Sequence, residues 1–344
     1  MRAVRVVRHG RPIEAIEIQD IPSPEPSPGG VRIAVAAASL NWGDIARCRG
    51  GVASVMAQPP FTLGMDVCGV VDAAGDGAEH WLGRRVVATC NQSLGGLAEM
   101  ALASTFGVFD APAELDDIQA AAFTLPFHTT YLALHERARL EAGEALLVVG
   151  GASAVGTAAI QLGVAAGAHV IATAGGREKG RLCEGLGAEL AIDTTSEDVF
   201  ERVMAHTDGR GADVACDMVG GAQTETIWTC MAHGGRYVPV GFNDDPQSGL
   251  TGKPLRKVSI GNFSVVGVVM AYGPAPVEFR RFGLNPFPPE TGAKVHAALC
   301  ALVASGAIRP TIGRCIGMSE VAAALEDHEQ RRTTGRTVVD LRLP

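Results

Sequence analysis

A glycine-rich stretch near the middle of the chain has residue types that can bind phosphate. Residues 150–156 read GGASAVG, directly after the apolar run ALLVV and directly before a helical pattern of apolar residues. Gly151 and Gly156 match the G-x-G-x-x-G pattern of dinucleotide-binding turns, and Ser153 stands where the middle glycine would be. Backbone N–H groups at the start of a helix attract a pyrophosphate because they carry partial positive charge. We therefore expect a dinucleotide to contact Gly151, Ser153, Ala154, Val155 and Gly156.

The hydroxyl of Ser153 could add a further donor to a phosphate oxygen. The alternative for the whole stretch is a close-packed turn between a strand and a helix that holds no ligand.

The residues after the next apolar run indicate which dinucleotide is preferred. Turns that prefer NAD place Asp or Glu about twenty residues after the glycines, where the carboxylate binds the ribose 2′-hydroxyl. This chain has Ala174 there, followed by Gly175, Arg177 and Lys179. With the carboxylate absent and two cations present, a 2′-phosphate is favoured, so we expect NADPH rather than NADH. The alternative is that Arg177 and Lys179 only form the solvated first turn of a helix.

The charge and cysteine patterns exclude several classes of protein. The chain has 344 residues and a formal net charge of −8, without a block of consecutive basic residues, so neither nucleic acid nor an anionic membrane surface is expected as a partner. Charges interrupt the apolar residues at the N-terminus, which argues against a signal peptide and for a cytoplasmic protein. The 8 cysteines are too far apart in sequence for a zinc clip, and we expect them to be reduced and mostly buried.

The phosphate-binding residues lie in a region of alternating strands and helices. From Ala145 to Gly176 there is no Asp, Glu, Lys or Arg. Glycines within this stretch argue against a membrane helix, and the pattern predicts the strand ALLVV, a helix and the strand HVIATA, which together form a parallel βαβ unit. The alternation continues through the predicted strands LAID, ADVACDMVGG, RYVPVG and FSVVGVVM. This alternation of strands and helices predicts an α/β domain with a doubly wound parallel sheet and a ligand at the carboxyl ends of its strands.

Three local features of this region are also predicted. Ser196 is expected to cap the helix SEDVFERVMAHT, and AQTETIWTCMAHGG is expected to be helical throughout. FSVVGVVM is expected to be a long apolar edge strand, which would favour pairing with a second copy of the chain in a homodimer.

The sequence pattern of the remainder of the chain predicts a second domain. Short β runs separated by Pro and Gly clusters fill the first part of the sequence, which predicts an antiparallel, barrel-like domain. The C-terminal part mixes two helices with two strands. We expect a β-rich domain formed by residues 1–122 and 273–344, with the dinucleotide-binding domain, residues 123–272, inserted between its halves.

Seven segments spread along the chain carry a family pattern, and they are FTLGMDVCGVV, LGRRVVATC, GGLAEMALA, RARLEAGEALLVVGGASAVG, GGRYVPVG, SGAIRPTI and TGRTVVDL. Together they resemble the medium-chain dehydrogenases/reductases, and within them the zinc-independent quinone oxidoreductases. The resemblance implies a Rossmann domain plus a β-rich, partly open, GroES-like catalytic domain, and commonly a homodimer. It also implies that NADPH donates hydride to a small quinone or α,β-unsaturated carbonyl.

The chain departs from the zinc-dependent relatives at two metal-ligand positions. Residues 41–44 read NWGD and residues 64–66 read GMD, so Asn41 replaces a thiolate and Met65 an imidazole. Zinc would lose both ligands, and we expect hydride transfer without a metal. Some zinc-free relatives carry a Tyr shortly after the Asn, but this chain has Ala46 there.

The resemblance also implies which residues surround the nicotinamide half of the cofactor. Thr129 or Thr130 would bind ribose or phosphate, Val219 and Gly220 would border the adenosine ribose, and Arg336 would reach a phosphate. The nicotinamide itself would lie near Gly241, Phe242, Val269 and Met270.

Three residues are candidates for roles in the reaction. Asn41 would orient the nicotinamide ribose or a substrate carbonyl, unless it only caps a loop. His128 is the first candidate for a proton donor and Tyr272 the second, although a quinone can also take protons from solvent. Three functions stay open: quinone reduction, reduction of an enone or enoyl thioester, and NADPH binding without catalysis.

Overall fold

The computed structural model describes residues 1–51, 57–241, 255–281 and 283–343. The chain forms two compact units. Unit 1 comprises Met1–Leu125, Ala271–Ala304 and Pro310–Pro344, and unit 2 comprises Pro126–Met270 and Ser305–Arg309. The short segment Ser305–Arg309 thus groups with unit 2, whereas the sequence-based division assigns it to the β-rich domain.

The strands are numbered in chain order. They are β1 Arg2–Val6, β2 Ile16–Asp20, β3 Gly30–Ser39, β4 Phe61–Thr62, β5 Asp66–Ala74, β6 Arg85–Thr89, β7 Met100–Ser104, β8 Val108–Asp110, β9 Ala145–Val149, β10 His169–Ala174, β11 Leu190–Asp193, β12 Ala212–Asp217, β13 Met231–Pro239, β14 Ser264–Val265, β15 Ile312–Ile316 and β16 Arg336–Asp340.

The α-helices are numbered in the same way. They are α1 Pro12–Ala15, α2 Trp42–Arg49, α3 Asp117–Ala121, α4 Thr124–Tyr131, α5 Ala154–Ala165, α6 Arg177–Gly185, α7 Val199–His206, α8 Thr224–Thr229, α9 Arg256–Gly261, α10 Val277–Arg281, α11 Pro289–Ala304 and α12 Val321–Glu329. A π-helical stretch, Leu132–Arg137, directly follows α4.

Unit 2 is built on one parallel sheet. Its strand order is β11-β10-β9-β12-β13-β14, and every pairing within it is parallel. All residues of β9 are buried, which explains why this strand carries no charge on either face. The predicted doubly wound parallel sheet is confirmed. The segments that directly follow β9, β10 and β12 contain predicted cofactor-binding residues.

Three local predictions in unit 2 are wrong. Asp198, not Ser196, caps α7, because its carboxylate accepts a hydrogen bond of 3.0 Å from the N–H of Glu201. The helix α8 ends at Thr229 and β13 begins at Met231, since the apolar residues after this point are buried in the sheet. The strand β14 has only two residues, so the long apolar edge strand is not formed.

Unit 1 is β-rich and open. Antiparallel pairing joins β2-β1-β4 in a small sheet, and a larger sheet has the order β15-β16-β3-β5-β6-β8, with β7 paired to β3. Only β15 and β16 are parallel to each other in the larger sheet, as far as the described strands extend. The described strands form no closed barrel, in agreement with the expected partly open domain. Its apolar core includes Val4, Ile33, Leu40 and Val67.

Two composition-based expectations can be compared with this fold. Of the cysteines, six are buried, but Cys315 is exposed because it lies on an outward position of the edge strand β15. Burial raises the pKa of the Cys48 and Cys183 thiols to about 12, so neither is a thiolate near neutral pH. In the described ranges, no helix combines the length and apolar character needed to cross a membrane.

Candidate functional site

The glycine turn joins β9 to α5 and leaves two backbone donors at the helix start. The N–H groups of Gly150 and Gly151 donate to the Thr173 hydroxyl (3.1 Å) and carbonyl (2.8 Å) of the neighbouring strand. Further along, the N–H groups of Ala154 and Val155 have no hydrogen-bond acceptor among the described residues. Since both residues are partly exposed, their N–H groups are available to a bound anion.

Ser153 has a different role from the one predicted for its hydroxyl. Its Oγ donates to the carbonyl of Gly150 (2.7 Å) and accepts from the N–H of Gly156 (3.1 Å), which makes Ser153 the N-cap of α5. The single hydroxyl proton is therefore already used within the turn. A donation from this hydroxyl to phosphate would cost the bond to Gly150, so the predicted donor role is not supported.

The glycines of the turn are required for three separate reasons. Gly150 has φ +80°, a left-handed conformation that makes the sharp turn. A Cβ on Gly151 would lie 2.9 Å from side-chain atoms of Ala172 and Cys183. A Cβ on Gly156 would lie 2.3 Å from the carbonyl oxygen of Gly150. Gly156 thus lets α5 start directly against the turn.

The end of β10 presents the two predicted cations. Ala174 is buried, Gly175 and Arg177 are exposed, and Lys179 is partly exposed at the start of α6. Arg177 also lines a polar cavity of about 370 Å³. The helix α6 begins after Gly176, whose φ is +94°, and no side chain among the described residues caps it there.

Asp193, at the end of β11, holds this loop in place and was not recognised from the sequence. Its Oδ1 accepts hydrogen bonds from the Gly176 N–H (2.9 Å), the Thr195 N–H (2.9 Å) and the Thr195 hydroxyl (2.7 Å). These bonds, that from the Thr195 hydroxyl first, lower the pKa of the Asp193 carboxyl. Asp193 is therefore ionised near neutral pH, and this oxygen is occupied by loop donors.

The loop after β12 is shaped by a buried carboxylate. Oδ1 of Asp217 accepts from the N–H groups of Val219 (2.8 Å) and Gly220 (3.0 Å), and its Oδ2 accepts from the Tyr237 hydroxyl (2.6 Å). Burial, followed by the charge of Asp217, raises the pKa of the Tyr237 hydroxyl, which therefore stays protonated and donating. The predicted ribose-binding residues Val219 and Gly220 thus owe their conformation to two residues that the sequence did not single out.

Gly241 brings the next loop close to this one. A Cβ at this position would lie 2.3 Å from the carbonyl oxygen of Met218, and the Gly241 N–H donates to the carbonyl of Asp217 (3.1 Å). The glycine is needed for this approach between two loops of unit 2. Phe242, predicted beside it, lies outside the described residues.

The α4 segment does not support two of the predicted roles. Thr130 is fully buried and its hydroxyl donates to the carbonyl of Pro126 (2.7 Å), one helical turn earlier, so it is not available to ribose or phosphate. Thr129 is partly exposed. His128 is also fully buried, which separates its imidazole from the solvent that would return its proton after each turnover.

The segment after β14 carries the predicted nicotinamide neighbours Val269 and Met270. Val269 is exposed and Met270 is partly exposed. The guanidinium of Arg137, at the end of the π-helical stretch, donates to the Gly267 carbonyl (2.9 Å) and fixes this segment within unit 2.

In unit 1, Asn41 and Arg336 belong to one buried cluster, together with Ser39 and Asp66. Arg336 donates to both carboxylate oxygens of Asp66 (3.0 and 2.8 Å), to Oδ1 of Asn41 (2.7 Å) and to the Ser39 hydroxyl (3.0 Å). Nδ2 of Asn41 donates to Asp66 (2.7 Å) and to the Ser39 carbonyl (3.2 Å). We refer to these four residues as the Asp66 cluster.

The Asp66 cluster overturns the predicted roles of two residues. Arg336 is 4% exposed and is drawn inward because a buried, uncompensated Asp66 would be very costly, so it does not extend to a cofactor phosphate. Asn41 is 3% exposed, and both its amide hydrogens and its carbonyl oxygen are already bonded. It caps α2 and supports the cluster instead of orienting substrate or ribose.

Tyr272, the second predicted proton donor, also lies in unit 1. Its ring meets Phe109 edge to face at 6.0 Å, and a Cβ on Gly292 would lie 2.9 Å from a ring atom. The Tyr272 ring therefore packs closely against Gly292 of α11 and Phe109 of β8.

The donor set of unit 1 does not fit zinc. Asn41 is fully bonded within the Asp66 cluster, and Met65 offers only a neutral thioether where an imidazole would be needed. In the part of the chain that the structure describes, no group of three or more His, Cys, Asp or Glu side chains could hold a metal ion.

Comparison with known proteins agrees with this architecture. The family described as "Alcohol dehydrogenase GroES-like domain" matches residues 27–132, and the family described as "Zinc-binding dehydrogenase" matches residues 154–282. The quinone oxidoreductase of Homo sapiens is 31% identical over 328 residues, which cover 95% of this chain and 93% of that protein.

Two other similar proteins differ in kind. The phthioceranic/hydroxyphthioceranic acid synthase of Mycobacterium tuberculosis is 35% identical over 239 residues, which are 67% of this chain but 11% of the synthase. A mycobacterial protein solved as a complex with NADPH is 25% identical, with a TM-score of 0.85 and coverage of 100% of both chains.

Proposed function

The chain belongs to the medium-chain dehydrogenase/reductase family as a quinone oxidoreductase-like member, and on that premise we propose that it oxidises NADPH by transferring hydride to a quinone. It is an oxidoreductase of this family. The quinone as acceptor is supported by the similarity to the human quinone oxidoreductase along nearly the whole chain.

The observation that carries the proposal is the open glycine turn. At the start of a 12-residue helix, Ala154 and Val155 present N–H groups that have no acceptor among the described residues, and no acidic side chain lies in the first turn. A pyrophosphate would accept from both groups and would be stabilised by the helix dipole. Gly156 keeps this surface free of side-chain atoms close to the turn.

The cofactor preference is supported by the end of β10. Ala174 offers no carboxylate to a ribose 2′-hydroxyl, while Arg177 and Lys179 place two cations on the following turn. A 2′-phosphate would therefore be attracted, which favours NADPH over NADH. The similar mycobacterial structure that contains NADPH supports the same choice.

The residues of this chain would bind and orient the reactants. NADPH supplies the hydride when it is bound. Asp217 and Tyr237 hold the loop that would border the ribose, and Arg137 holds the segment of Val269 and Met270. Since His128 is buried, the proton of the product is best taken from water.

A second candidate function is reduction of an enone or an enoyl thioester at carbon. It is favoured by the identity of 35% to a segment of an acid synthase, which exceeds the 31% to the human quinone oxidoreductase. The two reactions share the cofactor and differ in the acceptor.

The decisive assay measures NADPH and NADH oxidation with quinones, enones and enoyl thioesters. We expect rapid oxidation of NADPH with quinones, and kcat/KM for NADPH at least about 10-fold above that for NADH because of the extra charged contacts. The double variant Arg177→Ala/Lys179→Ala should lose that preference, whereas Arg331→Ala, at an exposed arginine in unit 1, should retain it. If the protein binds NADPH but oxidises it with none of these acceptors, the proposal is contradicted. The protein would then be a non-catalytic NADPH-binding protein.

We also propose that the protein is cytoplasmic and that it forms a homodimer, and the family resemblance implies the homodimer. Because β14 has only two residues, there is no long apolar edge strand that would favour pairing. The family resemblance alone supports the dimer. Sedimentation velocity of the purified protein tests it directly, and a single monomeric species would contradict it.

A further inference from the structure

A polar cavity of unit 2 is lined by the helix α6, the edge strand β11 and the segment that follows β11. Its volume is about 370 Å³. All of its lining residues belong to unit 2, so the cavity is complete within one compact unit. They are Arg177, Gly180, Arg181, Glu184, Ala191, Asp193, Ser196 and Glu197. We refer to this space as the α6 cavity.

Two arginines line the α6 cavity without a protein partner. Arg177 and Arg181 are exposed, and among the described residues neither guanidinium forms a hydrogen bond or an ion pair. Because they stand four positions apart on one helix, their side chains lie on the same face and repel each other. Arg177 is also the first residue of α6, where the helix dipole disfavours a cation. An anion bound beside both arginines would offset these costs.

The acidic residues of the α6 cavity do not neutralise these arginines. Oε1 of Glu197 pairs with Arg202 at 3.0 Å, and its Oε2 accepts from the N–H of Asp193 (2.7 Å). Oδ1 of Asp193 is occupied by the loop donors described above. Glu184 is exposed near the C-terminal end of α6, and within the described ranges no ion pair joins it to either arginine. Both guanidinium groups are therefore available to a ligand.

The start of α6 adds backbone donors beside Arg177. In the part of the chain that the structure describes, the N–H groups of Arg177 and Glu178 have no acceptor. The preceding Gly176 donates its own N–H to Asp193 (2.9 Å), which fixes the entry to the helix next to the cavity. An anion at this position would meet N–H groups and guanidinium groups together.

Two small residues leave space for a ligand between α6 and β11. Gly180 is buried, and a Cβ at this position would lie 3.6 Å from the Cβ of Ala191. The helix and the strand are thus close together at this point, and neither residue projects a long side chain into the cavity. The side chains of Arg177 and Arg181, on either side of Gly180 along the helix, can approach the same group.

We propose that Arg181, together with Arg177, binds the 2′-phosphate of NADPH in the α6 cavity and thereby determines the cofactor preference. The inference rests on the proposed function, which places the dinucleotide at the carboxyl end of β10. Arg177 follows that strand end closely and also lines the cavity, so it connects the expected position of the ribose with Arg181. The group recognised is a phosphate monoester.

The charge of the ligand explains why Arg181 would separate the two cofactors. A phosphate monoester carries a charge of about −1.5 to −2 at neutral pH and three acceptor oxygens. A planar guanidinium can donate two parallel hydrogen bonds to such a group. NADH has a neutral 2′-hydroxyl instead and gains nothing comparable. Since the phosphate takes no part in hydride transfer, Arg181 acts equally on bound cofactor and transition state, and it lowers KM without changing kcat.

Calorimetry tests the phosphate site without turnover. We expect the full-length wild-type protein to bind adenosine 2′,5′-bisphosphate at least about 10-fold more tightly than 5′-AMP. Arg181→Met should lose about 10-fold in affinity for the bisphosphate and keep its affinity for 5′-AMP, which also shows that the variant is folded. Arg181→Lys should keep part of the affinity, because a point charge attracts phosphate without the bidentate geometry.

The matched control is Arg256→Met, which removes an exposed arginine of the same unit that does not line the α6 cavity. This variant should bind both nucleotides as the wild type does. Equal affinity of the wild-type protein for the bisphosphate and 5′-AMP overturns the inference and needs no variant.

Inorganic phosphate distinguishes the cofactor from a separate anion. We expect it to compete with adenosine 2′,5′-bisphosphate for the wild-type protein. If inorganic phosphate binds to protein already saturated with the bisphosphate, and Arg181→Met abolishes that binding, then the cavity holds a separate phosphate and the inference is overturned.

Turnover gives the last readout and separates the two proposals. Arg181→Met should raise KM for NADPH by about 10-fold and leave kcat and the kinetics with NADH unchanged. If Arg181→Met and Arg256→Met prefer NADPH equally, the role of Arg181 alone is overturned. If the wild-type protein reduces no acceptor but shows Arg181-dependent binding of the bisphosphate, the proposed reaction is wrong and the phosphate site stands.

Discussion

The two units each bury a carboxylate beside a strand, and they satisfy it by different means. In unit 1, Asp66 at the start of β5 receives two bonds from the guanidinium of Arg336. In unit 2, Asp217 at the end of β12 accepts hydrogen bonds from donors that include the Tyr237 hydroxyl and two backbone N–H groups, all of them neutral. The first carboxylate joins distant parts of the chain, and the second shapes the loop that directly follows it.

This difference separates stability from ligand binding in the two units. Removing the charge partner of Asp66 should damage the fold of unit 1, since a full charge is left buried. Removing a neutral donor to Asp217 should cost less in stability and should act mainly on the loop conformation. The variants below are ordered by the size of the expected effect.

Arg336→Met should have the largest effect. The variant leaves Asp66 buried without its cation, so we expect a loss of about 3–5 kcal/mol in the free energy of unfolding of unit 1. Chemical denaturation measures the loss, and the added substitution Asp66→Asn should recover part of it. The control Arg342→Met removes an exposed arginine whose ion pairs contribute less than about 1 kcal/mol. A similar small loss for Arg336→Met would show that Asp66 is satisfied without charge.

Gly156→Ala should have the next largest effect, and it acts on unit 2. Its Cβ would lie 2.3 Å from the Gly150 carbonyl oxygen, which belongs to the backbone and cannot rotate away. We expect a cost of about 3 kcal/mol, at the upper end for overpacking, and loss of NADPH binding in calorimetry. Gly185→Ala is the matched control, because a Cβ on that exposed helical glycine meets no atom within 4 Å. The control should stabilise α6 by about 0.5–1 kcal/mol.

Tyr237→Phe tests the neutral side of the comparison. The variant removes only the hydroxyl that donates to Asp217 at 2.6 Å, and we expect a loss of about 2 kcal/mol. The dissociation constant of NADPH should rise, because the Val219–Gly220 loop loses part of its support. Tyr131→Phe, on the partly exposed Tyr131 at the end of α4, is the control. A variant with lower stability and unchanged NADPH affinity would disconnect Asp217 from the cofactor loop.

The contrast between the two carboxylates also explains what the sequence could predict. The parallel sheet, the glycine turn and the cations after β10 depend on neighbouring residues, so their patterns were sufficient. The sequence assigns Arg336 and Asn41 to ligand contacts because the pairing of Asp66 with a residue 270 positions away leaves no local pattern. Thr130 differs, since its hydroxyl is used by the Pro126 carbonyl only four positions earlier. Tyr237 was missed for the same reason, since its partner Asp217 lies on the neighbouring strand. Asp193 was missed because it joins its own loop at Thr195 to Gly176, which lies 17 positions earlier.

The smallest predicted effect concerns His296 on α11, a neutral buried side chain in unit 1. It stacks on Phe109 at 4.7 Å and its Nε2 donates to the Asp110 carbonyl (2.9 Å). Burial lowers the pKa of this imidazole below its ordinary value of 6.5. Between the lowered pKa and about 6.5, the unfolded chain binds the proton and the folded chain does not, so stability decreases as the pH falls through this window.

His296→Gln should remove that part of the pH dependence. The free energy of unfolding of wild type and variant is compared at about pH 7.5 and about pH 5.5, on either side of the ordinary histidine pKa. We expect the wild-type protein to lose up to about 1 kcal/mol more than the variant on acidification. The exposed His80 provides the control variant His80→Gln, which should lose as much stability as the wild type when the pH is lowered. If His296→Gln loses as much stability between the two pH values as the wild type, other groups of unit 1 take up the proton. The aromatic packing around α11 would then not depend on a neutral imidazole.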